Sequence, residues 1–296
     1  MEFGNSTKRK SKEKAGVLLH FYRELKKRKL AFFGLVFLIF IHLIALFGPY
    51  IAPYGPQEMQ PRSALTGPSW DHPLGVDELG RDELTRLIYG ARVSLGVGLA
   101  VMAMSVIVGT VFGALSGYMG GWIDSVLMRI TDTFMSLPVF FLAISILAIF
   151  GGGILAVIVV IVVTSWMGVA RLVRSEYMQS REEDFVTAAE SVGAGDFRII
   201  VRHILPHAAP SIIVAATLQV PWGILTESAL SYLGLGIQPP TPTWGNMLMN
   251  AQQYFWMQPE LAFYPGLVIF LTVLSYNFLG DGLRDILDPY QSKQRR

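Results

Sequence analysis

The sequence predicts an all-α, polytopic membrane protein with six transmembrane helices, and three observations carry the prediction. Mean hydropathy is +0.45, with 52% hydrophobic and only 16% charged residues, too apolar and too charge-poor for an ordinary soluble domain of 296 residues. Several charge-free stretches reach the length of about 20 apolar residues that a helix needs to cross a hydrocarbon core about 30 Å thick. Lys and Arg gather in alternate connections, as in membrane proteins whose basic loops stay in the cytoplasm. Cysteine is absent, which excludes disulfides, thiolate zinc sites and cysteine nucleophiles. The small net charge of +2 argues against nucleic acid as a partner.

Residues 1–29 form a basic segment expected in the cytoplasm. Ten of the 24 Lys and Arg residues fall between Met1 and Leu30, enough to hold that end inside and to attract anionic membrane lipid. Within it, His20 to Lys29 has the character of an interfacial helix leading into the membrane. The first span is the anchor 30–51. Its apolar run exceeds the 7 to 15 or so residues of a signal-peptide core, and Phe47-Gly48-Pro49-Tyr50 is a poor cleavage context, so the anchor is expected to be uncleaved. Residues 52–92 are rich in Pro, Gly and Asp and read as a turn-dominated extracytoplasmic loop. Asp77, Arg81 and Asp82 within it are expected to make local turn contacts.

The transmembrane core is expected over 93–284. Val93 to about Gly117 is the second span. A charge-free run from Thr133 to Ala170 is long enough for two more, and Gly151, Gly152 and Gly153 divide it into a third span ending at Phe150 and a fourth from Ile154. Pro210 to Leu235 is the fifth, interrupted by Glu227, and Leu261 to Gly280 the sixth. Between the fourth and fifth, 171–206 is a charged cytoplasmic loop. Six crossings return the tail, 285–296, to the cytoplasm, so that both termini and 20 of the 24 basic residues lie inside.

That cytoplasmic loop carries the functional inference. Glu182, Glu183 and Asp184 suit a helix N-terminus. Phe185, Ala188, Ala189 and Val192 follow at i, i+3, i+4 and i+7, one apolar stripe with small residues at its centre. Gly193 and Gly195 are expected to end the helix, Asp196 to cap a second short one, and Leu205-Pro206 to stop that one before the fifth span. Two short helices on a glycine turn suit the docking of a soluble partner; a surface hairpin packed on the bundle is the plainer alternative.

The order Ala188-Ala189, Gly193, Leu205-Pro206 resembles the "EAA" loop of binding-protein-dependent ABC importer permeases, with Thr187 in place of the leading Glu. His72-Pro73-Leu74-Gly75-Val76-Asp77-Glu78-Leu79-Gly80-Arg81-Asp82 and Leu87 to Leu95 are similar to the peptide and nickel importer branch, specifically its C-type permease subunit. So are Arg202-His203-Ile204-Leu205-Pro206, Glu227 to Gly236, Pro239 to Gly245, and Asp281-Gly282-Leu283-Arg284-Asp285. The resemblance covers most of the chain from His72 onward. It implies a type I ABC importer permease fold in the cell inner membrane, heterodimeric with a second permease. It further implies two cytoplasmic ATPase subunits that hold ATP and Mg, and an extracytoplasmic substrate-binding protein that largely sets the cargo. The cargo is then a di- or oligopeptide, or alternatively nickel or a glycoside. The coupling residues it implies are Phe185, Thr187, Ala188, Ala189, Val192, Gly193 and Pro206.

The chain is not expected to be an enzyme or to bind a cofactor, since it has no Gly-x-x-x-x-Gly-Lys-Ser/Thr phosphate loop. Glu227, a carboxylate within an apolar span, is expected either to line the translocation path or permease interface, or to be a structural group bonded to a neighbouring helix. An ion-coupled secondary transporter would use such a group, but would show several of them. His203 and His207 are four apart, yet no third ligand is near and Pro206 intervenes, so a metal site is not expected. Pro138, Pro221 and Gly223 are candidate helix interruptions at membrane depth.

Overall fold

The computed structural model describes residues 23–287. Residues 1–22 of the basic segment and the tail beyond Leu287 lie outside the described residues. Of the expected interfacial helix, residues 23–27 are helical. Leu25 is buried there, and Arg28 pairs with Asp285 near the other end of the chain.

The described residues form helices and irregular connections, with a single isolated bridge between Val76 and Asp82. Five helices are long and apolar enough to cross a membrane, and a bent pair supplies a sixth crossing when taken as one span. The first helix, α1 (Lys29–Ile51), buries Ala31, Gly34, Leu38, Ile41, Ala45 and Gly48. Their alternating spacing of three and four residues makes one narrow seam along the helix. The rest of its surface, including Phe33, Phe40 and Phe47, stays exposed, as befits a helix solvated by lipid. Lipid tails provide no hydrophobic drive between helices, so association depends on close packing. Gly34 permits it: a Cβ there would stand 2.6 Å from the Ser275 carbonyl oxygen on the last helix.

The helix α2 (Glu83–Met119) begins earlier than the second span read from the sequence, because Asp82 caps it by accepting the Thr85 N–H at 2.8 Å. Gly98, Ser105, Gly109, Gly113 and Gly117 form its buried ridge. A Cβ at Gly109 would lie 2.8 Å from the Trp166 carbonyl oxygen, so the central helices approach backbone to backbone.

The third span is not one helix. It is α3 (Gly121–Ser136) followed by α4 (Val139–Phe150), bent by 82° at Ser136-Leu137-Pro138. Pro138 has no N–H to continue the ladder, and Leu137 before it is extended at ψ 135°, as the proline ring requires. With 12 residues, α4 is about 18 Å long, too short to cross alone.

The fourth span, α5 (Ile154–Arg181), continues past Ala170, where hydropathy places the membrane edge. Charge ends the apolar slab but not the helix: Val173, Tyr177 and Ser180 are still buried. Arg174 reaches Asp124 on α3 through two parallel hydrogen bonds of 2.6 Å, a charge-assisted clamp between the two helices.

The helix α6 (Asp184–Ser191) follows, then a helical turn at Asp196–Arg198, a π-helical stretch Ile199–Ile204 and α7 (Leu205–Tyr232). Two expectations are corrected here. Asp196 does not cap the second helix: Gly195 holds that position, and the Asp196 carboxylate accepts the Tyr118 hydroxyl at 3.0 Å. Leu205-Pro206 does not stop the helix either. The Leu205 N–H bonds back to Ile200 O, one residue further than in an α-helix, and this wider turn lets Pro206 enter within the first turn of α7.

After α7 comes α8 (Trp244–Ala251), which the hydropathy pattern does not reveal. Thr243 and Asn246 form a capping box at its start. The last helix, α9 (Glu260–Leu287), also outruns its apolar stretch at Gly280.

Candidate functional site

At one end of the bundle, where α2, α5 and α7 meet, Tyr177, Val173, Ile199, Ile204 and Ala208 build a buried apolar cluster, and α6 is pinned to it by Val186 and Ala189. The stripe read from the sequence is therefore split. Ala189 faces the bundle with Val186, while Phe185, Ala188 and Val192 face outward with Thr187 and Gly193. Val192 is 84% exposed, as is nearby Phe197 at 79%. Water does not favour such apolar exposure. Phe185 is held by the His207 ring, 5.6 Å away between centroids, which joins α6 to the start of α7, where Pro206 is also exposed.

The C-terminus of α6 is a Schellman motif. The Gly193 N–H donates to Glu190 O at 2.9 Å and the Ala194 N–H to Ala189 O at 3.0 Å, with Gly193 at φ +80°. Glycine is required there by conformation rather than by internal space, since a Cβ at that position would meet nothing within 4 Å.

Glu227 is the second focus. It is 0% exposed and accepts hydrogen bonds from Ser231 at 2.7 Å, Ser94 at 3.3 Å and Ser228 at 3.4 Å. Ser94 in turn accepts the Trp244 backbone N–H at 3.2 Å, and Ser231 accepts the Ile237 N–H at 3.1 Å. The carboxylate thus ties α2, α7 and the start of α8. In this structure the group is enclosed by its own chain. Sequence reasoning missed Ser94, 133 positions away in the chain.

In the segment before α2, Asp77 accepts the N–H groups of Leu79 and Arg81, both at 2.9 Å, and pairs with the Arg81 Nε at 2.6 Å. Burial raises the Glu78 carboxyl above its ordinary pKa, and neighbouring Asp77 adds to the effect. These are local turn contacts. Among the described residues no group of three or more His, Asp or Glu has a metal-ligating arrangement, and His203 and His207 gain no third partner.

The structure is a membrane-spanning helical bundle that holds α6 on one end with an apolar face outward. The chain belongs to the family of binding-protein-dependent transport system inner membrane components, which residues 109–293 match. Residues 19–68 match the N-terminal transmembrane domain of oligopeptide transport permease C. It is 43% identical over 268 residues to the dipeptide transport system permease protein DppC of Alkalihalophilus pseudofirmus, covering 90% of this chain and 88% of the relative. It is 42% identical over 270 residues to the glutathione transport system permease protein GsiD of Escherichia coli, covering 91% and 89%. Among solved structures, the inward-facing MetNI methionine ABC transporter shares the fold at a TM-score of 0.56 and 18% identity, over 68% of this chain and 96% of the other. The chain is a membrane-spanning permease subunit.

Proposed function

We propose that this permease is one of two membrane-spanning halves of an ATP-driven importer of small peptides in the cell inner membrane, with both termini cytoplasmic. It pairs with a second permease and receives cargo from an extracytoplasmic binding protein. Two cytoplasmic ATPase subunits hold ATP and Mg, at least one of them docked on the surface of Glu182 to Gly195, and this chain binds neither. The observation that carries the reading is the exposed apolar set Phe185, Ala188 and Val192 on a helix whose other face is locked into the bundle. A rigid mount transmits displacement, and a solvent-facing apolar patch is what a partner buries. Relatives named for dipeptide and glutathione transport support the peptide class. The enclosure of Glu227 favours this reading over an ion-coupled carrier, which needs its carboxylate at a cavity.

The test is purification of the intact assembly from its membrane. Expected are a second permease, ATPase subunits and peptide-stimulated ATP hydrolysis; a chain that purifies alone and transports without ATP overturns the reading. In whole cells, cysteine at exposed Ser69 is expected to react with an impermeant thiol reagent and cysteine at exposed Ser191 to resist it. The reverse pattern overturns the orientation.

A further inference from the structure

A recess of about 430 Å³ opens between α5, α7 and the break in the third span. Met135 and Val139, on either side of that break, both line it, and Ser136, Leu137 and Pro138 between them are all exposed. Helix ends leave carbonyl and N–H groups without intrahelical partners. Hydrocarbon offers them none, so interrupted backbone at membrane depth persists only against protein or water. The depth is that of the bilayer interior: Ser165, on the same wall, lies eleven residues from Ile154, about 16 Å along α5.

The wall also carries a side chain out of place in lipid. Gln219 donates one amide N–H to the Ser165 carbonyl across the gap between α7 and α5, at 3.2 Å. Among the described residues its amide oxygen accepts no hydrogen bond. Beside it Gly168 is exposed although Met167 and Val169 are buried, and a Cβ on Gly168 would meet nothing within 4 Å. The space in front of the wall is open.

We propose that this recess is this chain's wall of the translocation path, water-filled in the assembled transporter, and that Gln219 is the residue that meets the backbone of a passing peptide. The proposal rests on the peptide-importer reading above. Peptides of different sequence share only their backbone N–H donors and C=O acceptors. A side-chain amide, donor and acceptor at once, matches that shared chemistry without selecting a side chain. Met135, exposed, flexible and polarizable, supplies apolar surface that adapts to variable cargo.

The absence of cysteine in the natural chain makes the test direct. Gly168→Cys and, as a control on the exposed face of α1, Ile39→Cys are assembled with the partner subunits, and peptide uptake is measured before labelling. A thiolate forms in water and not in hydrocarbon. A charged, water-soluble thiosulfonate is therefore expected to modify Gly168→Cys at least about tenfold faster than Ile39→Cys, to be slowed by saturating peptide, and to block uptake once attached. Gln219→Leu is expected to raise the KM for peptide about tenfold, the loss of one hydrogen bond, with assembly and ATPase association unchanged, and Gln219→Asn to restore part of it. Equally slow labelling of both cysteines in a transporter that still imports peptide overturns the wall and leaves the importer reading standing. Fast labelling that peptide does not slow, with normal uptake by Gln219→Leu, overturns the role of Gln219. An assembly that imports no peptide before labelling fails at the importer reading and takes the Gln219 assignment with it.

Discussion

The outer face of α6 and the surroundings of Glu227 break the same rule in opposite directions. Phe185, Ala188 and Val192 put apolar groups into water, while Glu227, Ser94 and Ser231 put polar groups into the membrane interior. The difference lies in what completes each. The polar set finds its partners within the chain, on α2, α7, the start of α8 and the α7–α8 connection, so it specifies how these segments sit together. The apolar set is left open apart from the His207 ring against Phe185, and another subunit is proposed to complete it. An intramembrane carboxylate is here enclosed by its own chain, and an ordinary-looking surface helix is the one proposed to carry the coupling role.

This comparison makes its strongest prediction at Glu227. Glu227→Leu deprives the serines of their acceptor at about 1 to 3 kcal/mol each, part of it recovered by bonding to their own helix carbonyls. The expected loss is about 2 to 4 kcal/mol, read as a lower unfolding midpoint in detergent and a poor yield of assembled transporter. Glu227→Gln keeps an acceptor for Ser231 and is expected to stay within about 1 kcal/mol. If Gln assembles normally yet abolishes transport, the carboxylate is functional and the contrast with α6 collapses.

A smaller effect is expected at the cap of α6. Gly193→Trp forces a bulky side chain to φ +80°, at a cost of about 1 to 3 kcal/mol. It also places that bulk where the ATPase is proposed to dock, where overpacking of similar size weakens association roughly five- to a hundredfold. Gly193→Asn, which tolerates the left-handed region, is expected to retain the fold and most of the association, as measured by co-purification of ATPase subunits. Full association by the Trp variant removes this helix from the docking surface.

The most discriminating change has the least effect on the chain itself. Val192→Asp, at an exposed position, is expected to leave the stability of the subunit within about 0.5 kcal/mol while weakening ATPase association about tenfold. Ser191→Ala, whose hydroxyl only bonds back to Thr187 O, is expected to change neither. Loss of subunit stability in Val192→Asp would mean that the outward face of α6 is covered by this chain after all.

The two regions also differ in how far they could be read in advance. The Gly193 turn was legible because a helix stop is local: glycine after an apolar period is enough. Which residues of α6 face inward was not, because Phe185, Val186, Ala188, Ala189 and Val192 are all compatible with burial, and only the cluster around Tyr177 and Ile199 selects Val186 and Ala189. Glu227 was visible as an anomaly, but its meaning waited on Ser94, a small residue in another helix with no signature of its own.

By itself the sequence determined the solvent. Transfer of charge into hydrocarbon is so unfavourable that charge-free runs mark the spans, and the distribution of Lys and Arg is the ground for the orientation proposed for them. It also marked Pro138 and Gly151 to Gly153, where helices do end, but equally Pro221 and Gly223, through which α7 runs on unbroken. Only the tertiary structure decided the rest. Hydropathy locates the membrane edge and not the helix end, so α5 and α9 continue beyond their apolar runs, where Tyr177 bonds Ile200 and Asp285 pairs with Arg28. The enclosure of Glu227 depends on contacts between segments far apart in the chain. In a membrane those contacts are made by van der Waals fit and hydrogen bonds rather than by hydrophobic burial, so the pattern of apolar residues that reveals each helix is silent about which helix it meets.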